Sequence, residues 1–179
     1  MSINDNGIME ALKENPQNGF RMLMAKYQES VYWHIRRLVV SHDDAQDASQ
    51  ETFVRIYRSF DNYRGDCSLR SWIYRIATNE ALRIISKRRQ DVVSIESETT
   101  GVNLIQGDDY IDFSDKVAVK LQKAILSLPP KQQLAFNMRY YDELEFDEIA
   151  KVADSTPTSI KASYHVAKEK IIKYMNSND

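Results

Sequence analysis

Between residues 91 and 115 the sequence carries seven aspartate and glutamate side chains and no lysine or arginine. The blocks on either side are mildly basic, with 14 Lys+Arg against 11 Asp+Glu in residues 1–90 and 10 against 8 in residues 116–179. The acidic segment, DVVSIESETTGVNLIQGDDYIDFSD, holds Gly101 and Gly107, and its apolar residues keep no sustained period. Such a stretch cannot supply one face of a packed element, so it reads as a linker between two units, 1–90 and 116–179. An ordinary solvated hinge fits the same composition.

Outside the linker the apolar residues recur at helical steps. Phe20, Leu23, Met24, Tyr27, Val31, Ile35 and Leu38 follow one another at three- and four-residue intervals. Pro16 to Gly19 punctuate the chain before them and set off a short helix around Ile8 to Lys13. A further helix is predicted from Asp43 to about Phe60, with Ala45, Ala48, Thr52, Phe53, Ile56 and Tyr57 on one face. Asp43 and Asp44 suit the positive end of its dipole. DNYRGDCS (61–68) is turn-like, and Leu69 to Arg89 resumes the period through Trp72, Ile73, Ile76, Ala77 and Ile84. No strand alternation appears, so the fold class is all-α, with two helical domains.

Other features narrow the class. No apolar run is long enough to cross a bilayer, and Met1 to Asn6 show no basic-then-apolar signal pattern. The single cysteine, Cys67, cannot pair within the chain, which fits a reducing cytoplasm. No glycine-rich phosphate loop is present, and His34, His42 and His165 lack metal-ligand spacing. The expectation is a cytoplasmic non-enzyme with no cofactor, no metal, no catalytic residue and no membrane insertion.

The carboxy-terminal block contains a motif with a mechanism. FDEIAKVA (146–153) forms a short helix with Phe146, Ile149, Ala150 and Ala153 inward, and a turn follows at Asp154 and Ser155. Thr156 is placed to cap the next helix through its hydroxyl, and Pro157 takes the first helical position, where its missing N–H costs nothing. Ile160, Tyr164, Ala167 and Ile171 supply the buried stripe of that helix. Two short helices about a tight turn describe a helix-turn-helix, whose second helix enters the major groove of DNA by its amino-terminal end. An αα-hairpin in a bundle fits the same pattern.

Taken in order, these pieces resemble the extracytoplasmic-function (ECF) sigma factors, the smallest members of the sigma-70 family. DAQDASQETFVRIYRSF (44–60) and SLRSWIYRIATNEALRIISKRR (68–89) are similar to the helices of their region 2. LSLPPKQQLAFNMRYYDELEFDEIAKV (126–152) and TSIKASYHVAKEKI (158–171) are similar to region 4. The resemblance covers most of the chain and implies a transcription initiation factor that binds core RNA polymerase and directs it to particular promoters.

It also implies roles for residues. Asp47, Gln50 and Glu51 share a helix face, and the matching ridge of the family grips the clamp helices of the polymerase's largest subunit; the flap region is a further expected contact. Residues 64–89 carry seven Lys+Arg against Asp66 and Glu80, interleaved with aromatic side chains. Such a strip neutralises phosphates, and its aromatic and amide groups can hold unstacked bases. The resemblance assigns Tyr63, Arg64, Ser68, Arg75, Asn79, Arg83, Lys87, Arg88 and Arg89 to opening and reading the −10 element. The loop from Asn62 to Ser68, with Asn79, would cradle a flipped base. Trp72 and Ile76 read as core, and Cys67 as incidental. For the −35 element it assigns Thr156, Pro157, Thr158, Ser159, Lys161, Ala162, His165 and Lys168. An anti-sigma factor that holds a monomeric, compact chain inactive is the expected regulator.

The linker gains meaning in that light. Twenty-five residues reach about 85 Å when stretched and roughly 25–30 Å as a relaxed coil. The two promoter elements lie near 70 Å apart, at about 34–36 Å per DNA turn. The linker bridges them only if it is held extended, and an acidic peptide suits a polymerase channel built for nucleic acid. Three departures from the family pattern stand out: Asp154 where glycine is common, Glu145 where Ser or Thr usually begins the first helix, and Ser163 and Val166 at positions that often carry arginine. The last implies fewer phosphate contacts, with −35 binding that is weak alone or dependent on tethering. A sigma-like decoy would lack the basic strip and the ridge, and a simple helix-turn-helix repressor would leave the first ninety residues unexplained.

Overall fold

The computed structural model describes residues 3–92 and 114–177. Most of the acidic linker, 91–115, therefore lies outside the described residues. Those residues contain eight α-helices and no strand.

Helix α1 (Asp5–Glu14) is capped by Asn4, whose Oδ1 accepts the Gly7 N–H at 2.7 Å. Helix α2 (Pro16–Val39) follows directly, with Asn15 as its cap and Pro16 in its first turn. The sequence placed punctuation at Pro16–Gly19, yet these residues are the first turn of α2 itself. Gly19 is buried there because α1 crosses it: a Cβ on Gly19 would fall 2.4 Å from the Leu12 nitrogen. Its role is close approach between two helices.

Val40 ends α2 at φ 68°, an unusual conformation for a β-branched residue. Helix α3 (His42–Ser59) then starts on the Ser41 cap. One turn of 3₁₀-helix (Phe60–Asn62) and the loop through Cys67 lead to α4 (Leu69–Val92). Ser68 caps α4, its Oγ accepting the Ser71 N–H at 3.1 Å. Leu23, Val31 and Ile35 of α2 pack with Ala45, Ala48 and Ile56 of α3 and Ile73, Ala77 and Ala81 of α4, all fully or almost fully buried. Each such Leu or Ile stabilises the fold by about 1.5–3 kcal/mol. Phe20 and Met24, read as core-facing, are only half-buried and line a surface groove instead.

The second unit is α5 (Lys116–Leu126), α6 (Pro130–Tyr140), α7 (Phe146–Val152) and α8 (Pro157–Asn176). Asp115 caps α5 through bonds from the Val117 and Ala118 N–H groups. Ala124, Ile125, Leu128, Phe136, Ala167 and Ile171 form a small core of their own. The two units also pack against each other. Met138, Leu144, Ile149, Ala150 and Ile160 belong to the same apolar cluster as the helices of the first unit. Val40 meets Ala118, Val119 and Leu126 of α5. In this arrangement α7 lies against α4.

Candidate nucleic-acid interface

Arg75, Asn79, Arg83 and Lys87 are four residues apart along α4, and all four are exposed. Residues at i and i+4 are neighbours on a helix surface, so these side chains make one continuous polar stripe. At its amino-terminal end lies the 61–68 loop, in which Arg64 and Ser68 are exposed. Tyr63 is held in place, its hydroxyl donating to the Cys67 carbonyl at 2.5 Å and its ring 5.2 Å from that of Trp72. Burial pushes the Tyr63 hydroxyl above its ordinary pKa, so it remains a donor. Gly65 adopts φ 80°, which glycine alone accepts without strain. Burial also pushes the Cys67 thiol up, against the pull of Lys151 and Arg75.

Two strip residues behave differently from the rest. Arg83 is held by Glu80, with Nε at 3.1 Å and Nη2 at 3.0 Å from Oε2. Arg88 is turned inward, pairing with Asp44 and donating to the Val39 carbonyl at 3.1 Å. Burial lowers the pKa of Arg88 from its ordinary value. It fastens α4 to the α2–α3 corner in this arrangement. The side chain of Arg89 lies outside the described residues.

On α3, Asp47 and Gln50 are exposed and Glu51 is half-exposed, while Ala45, Ala48 and Thr52 face inward as the sequence predicted. Glu51 lies 3.3 Å from Arg55. Beside this ridge runs an open groove of about 1300 Å³ lined by Phe20, Met24, Gln50, Phe53, Val54 and Tyr57. No sequence pattern marks it, because its apolar residues read simply as the inward faces of two helices. Ridge and groove together offer a partner helix both polar contacts and an apolar seat.

The α7–α8 pair has the features the sequence predicted for it. Asp154 turns the chain at φ 52° in place of glycine. Thr156 Oγ1 accepts the Ser159 N–H at 3.2 Å, and Pro157 opens α8. Where Ser or Thr was expected, Glu145 begins α7, its N–H bonded to the Glu148 carboxylate at 3.1 Å. Thr156, Pro157, Thr158, Lys161, Ala162, His165 and Lys168 are exposed, and Ser159 is half-buried. Lys131, at the start of α6, donates to Ser159 Oγ at 2.5 Å and adds a cation beside the first turn of α8 that no sequence motif marks. No group of three potential metal ligands occurs among the described residues, and no helix there is long and apolar enough to cross a membrane.

Comparison with known proteins gives this geometry a family. The sigma-70 region 2 profile matches residues 23–91, and the sigma-70 region 4 profile matches residues 118–171. The ECF RNA polymerase sigma-E factors of Salmonella typhimurium and Escherichia coli K12 are each 29% identical to the chain, over 94% of it and 93% of their own length. The RNA polymerase sigma-H factor of Pseudomonas aeruginosa is 26% identical over 94% of the chain and 92% of its own. Among solved structures, the sigma factor RpoE of Bartonella quintana, crystallised with the anti-sigma factor NepR, superposes with a TM-score of 0.71 at 18% identity, covering 89% of this chain and 98% of that one. CnrH, in complex with the cytosolic domain of CnrY, superposes with a TM-score of 0.69 at 16% identity, covering 96% of each chain. The chain belongs to the ECF group of the sigma-70 family: it is a transcription initiation factor, not an enzyme, which binds core RNA polymerase and directs it to specific promoters.

Proposed function

We propose that the stripe of α4 and the 61–68 loop open and read the −10 element. The observation that carries this is the alignment of Arg75, Asn79, Arg83 and Lys87 into one exposed stripe leading from the loop. Cations along such a stripe track a phosphate backbone, and Asn79 with the loop supplies hydrogen bonds to an extruded base. Arg64 and Ser68 border the same loop. Tyr63 offers its ring. Arg88 and Arg89 extend the strip, Arg88 once its pairing with Asp44 is exchanged for phosphate.

The recognition helix α8 reads the −35 element through Thr158, Lys161, Ala162, His165 and Lys168, with Thr156, Pro157 and Ser159 at its start. Asp47, Gln50 and Glu51, beside the groove, dock the largest subunit of the polymerase. The functional units are 1–90 and 116–179, joined by the acidic tether 91–115. The protein works in the cytoplasm, and an anti-sigma factor controls its release, a reading supported by the structurally similar sigma factor RpoE of Bartonella quintana, which was solved with an anti-sigma factor.

Permanganate footprinting of an open complex tests the assignment of the loop and stripe. Reactive thymines at the −10 position should appear with the wild-type protein and disappear with Asn79→Ala, while core-polymerase binding stays intact. Melting that survives both Asn79→Ala and Arg75→Ala would remove the −10 role from this stripe.

A further inference from the structure

Asp142 stands on the turn between α6 and α7, yet its side chain is only 4% exposed, because it is inserted into a socket built by α2 and α4. Arg37 Nη2 donates to its Oδ1 at 2.9 Å, and Tyr74 Oη donates to the same oxygen at 3.2 Å. Arg70 donates to the Asp142 main-chain carbonyl. His34, wholly buried, points Nδ1 at Oδ2 from 3.4 Å, and neither of those two atoms makes a hydrogen bond. The other ring nitrogen of His34 is engaged by Thr78 Oγ1 at 2.8 Å. Burial and the neighbouring carboxylate push the Tyr74 hydroxyl up to about 12, so it stays a donor.

These groups form an anion site whose walls belong to the first unit and whose ligand belongs to the second. Guanidinium and hydroxyl donors that hold a carboxylate hold a phosphodiester equally well, since both present paired anionic oxygens. Arg70 also lies in the first turn of α4, the helix that carries the exposed stripe toward DNA.

The closed arrangement is incompatible with a promoter. Asp142 and His34 are 3.4 Å apart, and Lys151 of α7 reaches the Asp66 carbonyl in the 61–68 loop at 3.4 Å. The two promoter elements are separated by roughly 70 Å, two DNA turns of about 34–36 Å each. Once α5–α8 leave for the −35 element, Asp142 leaves with them. Two guanidinium groups beside a buried histidine then face an empty socket, and cations in such a place need an anion.

We infer that the socket of His34, Arg37, Arg70 and Tyr74 is a phosphate-binding site with two alternative ligands: Asp142 in the closed chain and a backbone phosphate of promoter DNA in the open one. Asp142 is a phosphate mimic, and DNA and the second unit compete for one site. Closure and DNA binding by the first unit are therefore coupled with opposite sign. This inference rests on the reading of α4 as a DNA-binding helix.

The test uses the full chain and a short fluorescent single-stranded DNA of mixed sequence, since a phosphate contact is independent of sequence. Affinity is measured across a salt series for wild type, Asp142→Asn, and Asp142→Asn combined with Arg37→Gln; small-angle scattering reports closure and circular dichroism reports folding. Asp142→Asn should open the chain and tighten DNA binding at least about fivefold. Adding Arg37→Gln should leave the chain open, cancel most of that gain and lower the salt slope by about one. Equal affinity and slope for the single and double variants would overturn the shared site and leave Asp142 a latch alone. Unchanged DNA affinity in an opened Asp142→Asn chain would overturn the competition. Arg83→Ala, outside the socket, checks the underlying reading: if it too leaves DNA binding unaltered, the stripe assignment fails rather than the socket.

Discussion

Arg55 Nε lies 2.5 Å from Glu80 Oε1 and fastens α3, which carries the ridge of Asp47, Gln50 and Glu51, to α4, which carries the exposed stripe of Arg75, Asn79, Arg83 and Lys87. The Glu80 side chain is 4% exposed, and its second oxygen is bound by Arg83. Arg55 in turn lies 3.3 Å from Glu51. Glu51, Arg55, Glu80 and Arg83 thus form one chain of alternating charge across α3 and α4. A buried carboxylate is tolerable only while its partners remain. Arg55→Ala should therefore destabilise the protein by about 1–2 kcal/mol, the value being reduced because the arginine is half in water and Arg83 persists. Adding Glu80→Gln to Arg55→Ala should cost less than the sum of the two single changes. A double-mutant cycle by urea unfolding measures that coupling, and strict additivity would mean that the contact carries no energy.

Gly19 should not tolerate even a methyl group. The obstacle is the backbone of Leu12, 2.4 Å from the position of a Cβ, and backbone cannot rotate away. Gly19→Ala is expected to push α1 off α2 at a cost of about 1–3 kcal/mol, despite the better helix propensity of alanine. A thermal melt should show Tm lowered by several degrees, roughly 2–4 °C per kcal/mol for a chain of this size.

Loss of the Thr156 cap should act on recognition more than on the fold. Thr156→Ala removes the acceptor of the Ser159 N–H and frays the first turn of α8, at about 1 kcal/mol. Thr156→Ser keeps the hydroxyl and should restore most of the loss. Binding of a cognate −35 duplex, measured for both variants by anisotropy, separates capping from a requirement for the threonine methyl group.

Phosphate contacts along α4 should be visible as salt dependence. Removing Lys87 or Arg75, both exposed, should reduce the slope of log affinity against log salt by about one each and weaken binding to all sequences alike. Fluorescence anisotropy at several salt concentrations reads this directly. A slope equal to that of the wild type would place these side chains off the DNA path.

Much of this architecture was legible in the sequence because it depends on local chemistry. The Thr156 cap, the helical periods and the left-handed Asp154 all act within a few residues, where pattern and consequence stay adjacent. What escaped depends on contacts between distant segments. Nothing in YYDELEF indicates that Asp142, rather than Glu143 or Glu145, enters a socket on α2 and α4. Arg88 looks like one more cation in the strip, and its pairing with Asp44 appears only when α4 returns to the start of α3. Gly19 reads as punctuation because the helix that crosses it cannot be seen in a one-dimensional pattern. The groove beside Gln50 escaped for a related reason: Phe20 and Met24 have core-like spacing, but their depth depends on how α2 meets α3.

The central claim is that this chain programs core RNA polymerase, and run-off transcription tests it most directly. Purified core enzyme is supplied with pooled genomic promoter fragments, with and without the protein, alongside Glu51→Lys. Discrete new transcripts should appear with the wild type and be lost with the variant, whose fold, checked by circular dichroism, should be unchanged. No new transcripts with a folded wild-type protein, or transcripts indifferent to Glu51→Lys, would contradict the account: the first its function, the second its polymerase-binding ridge.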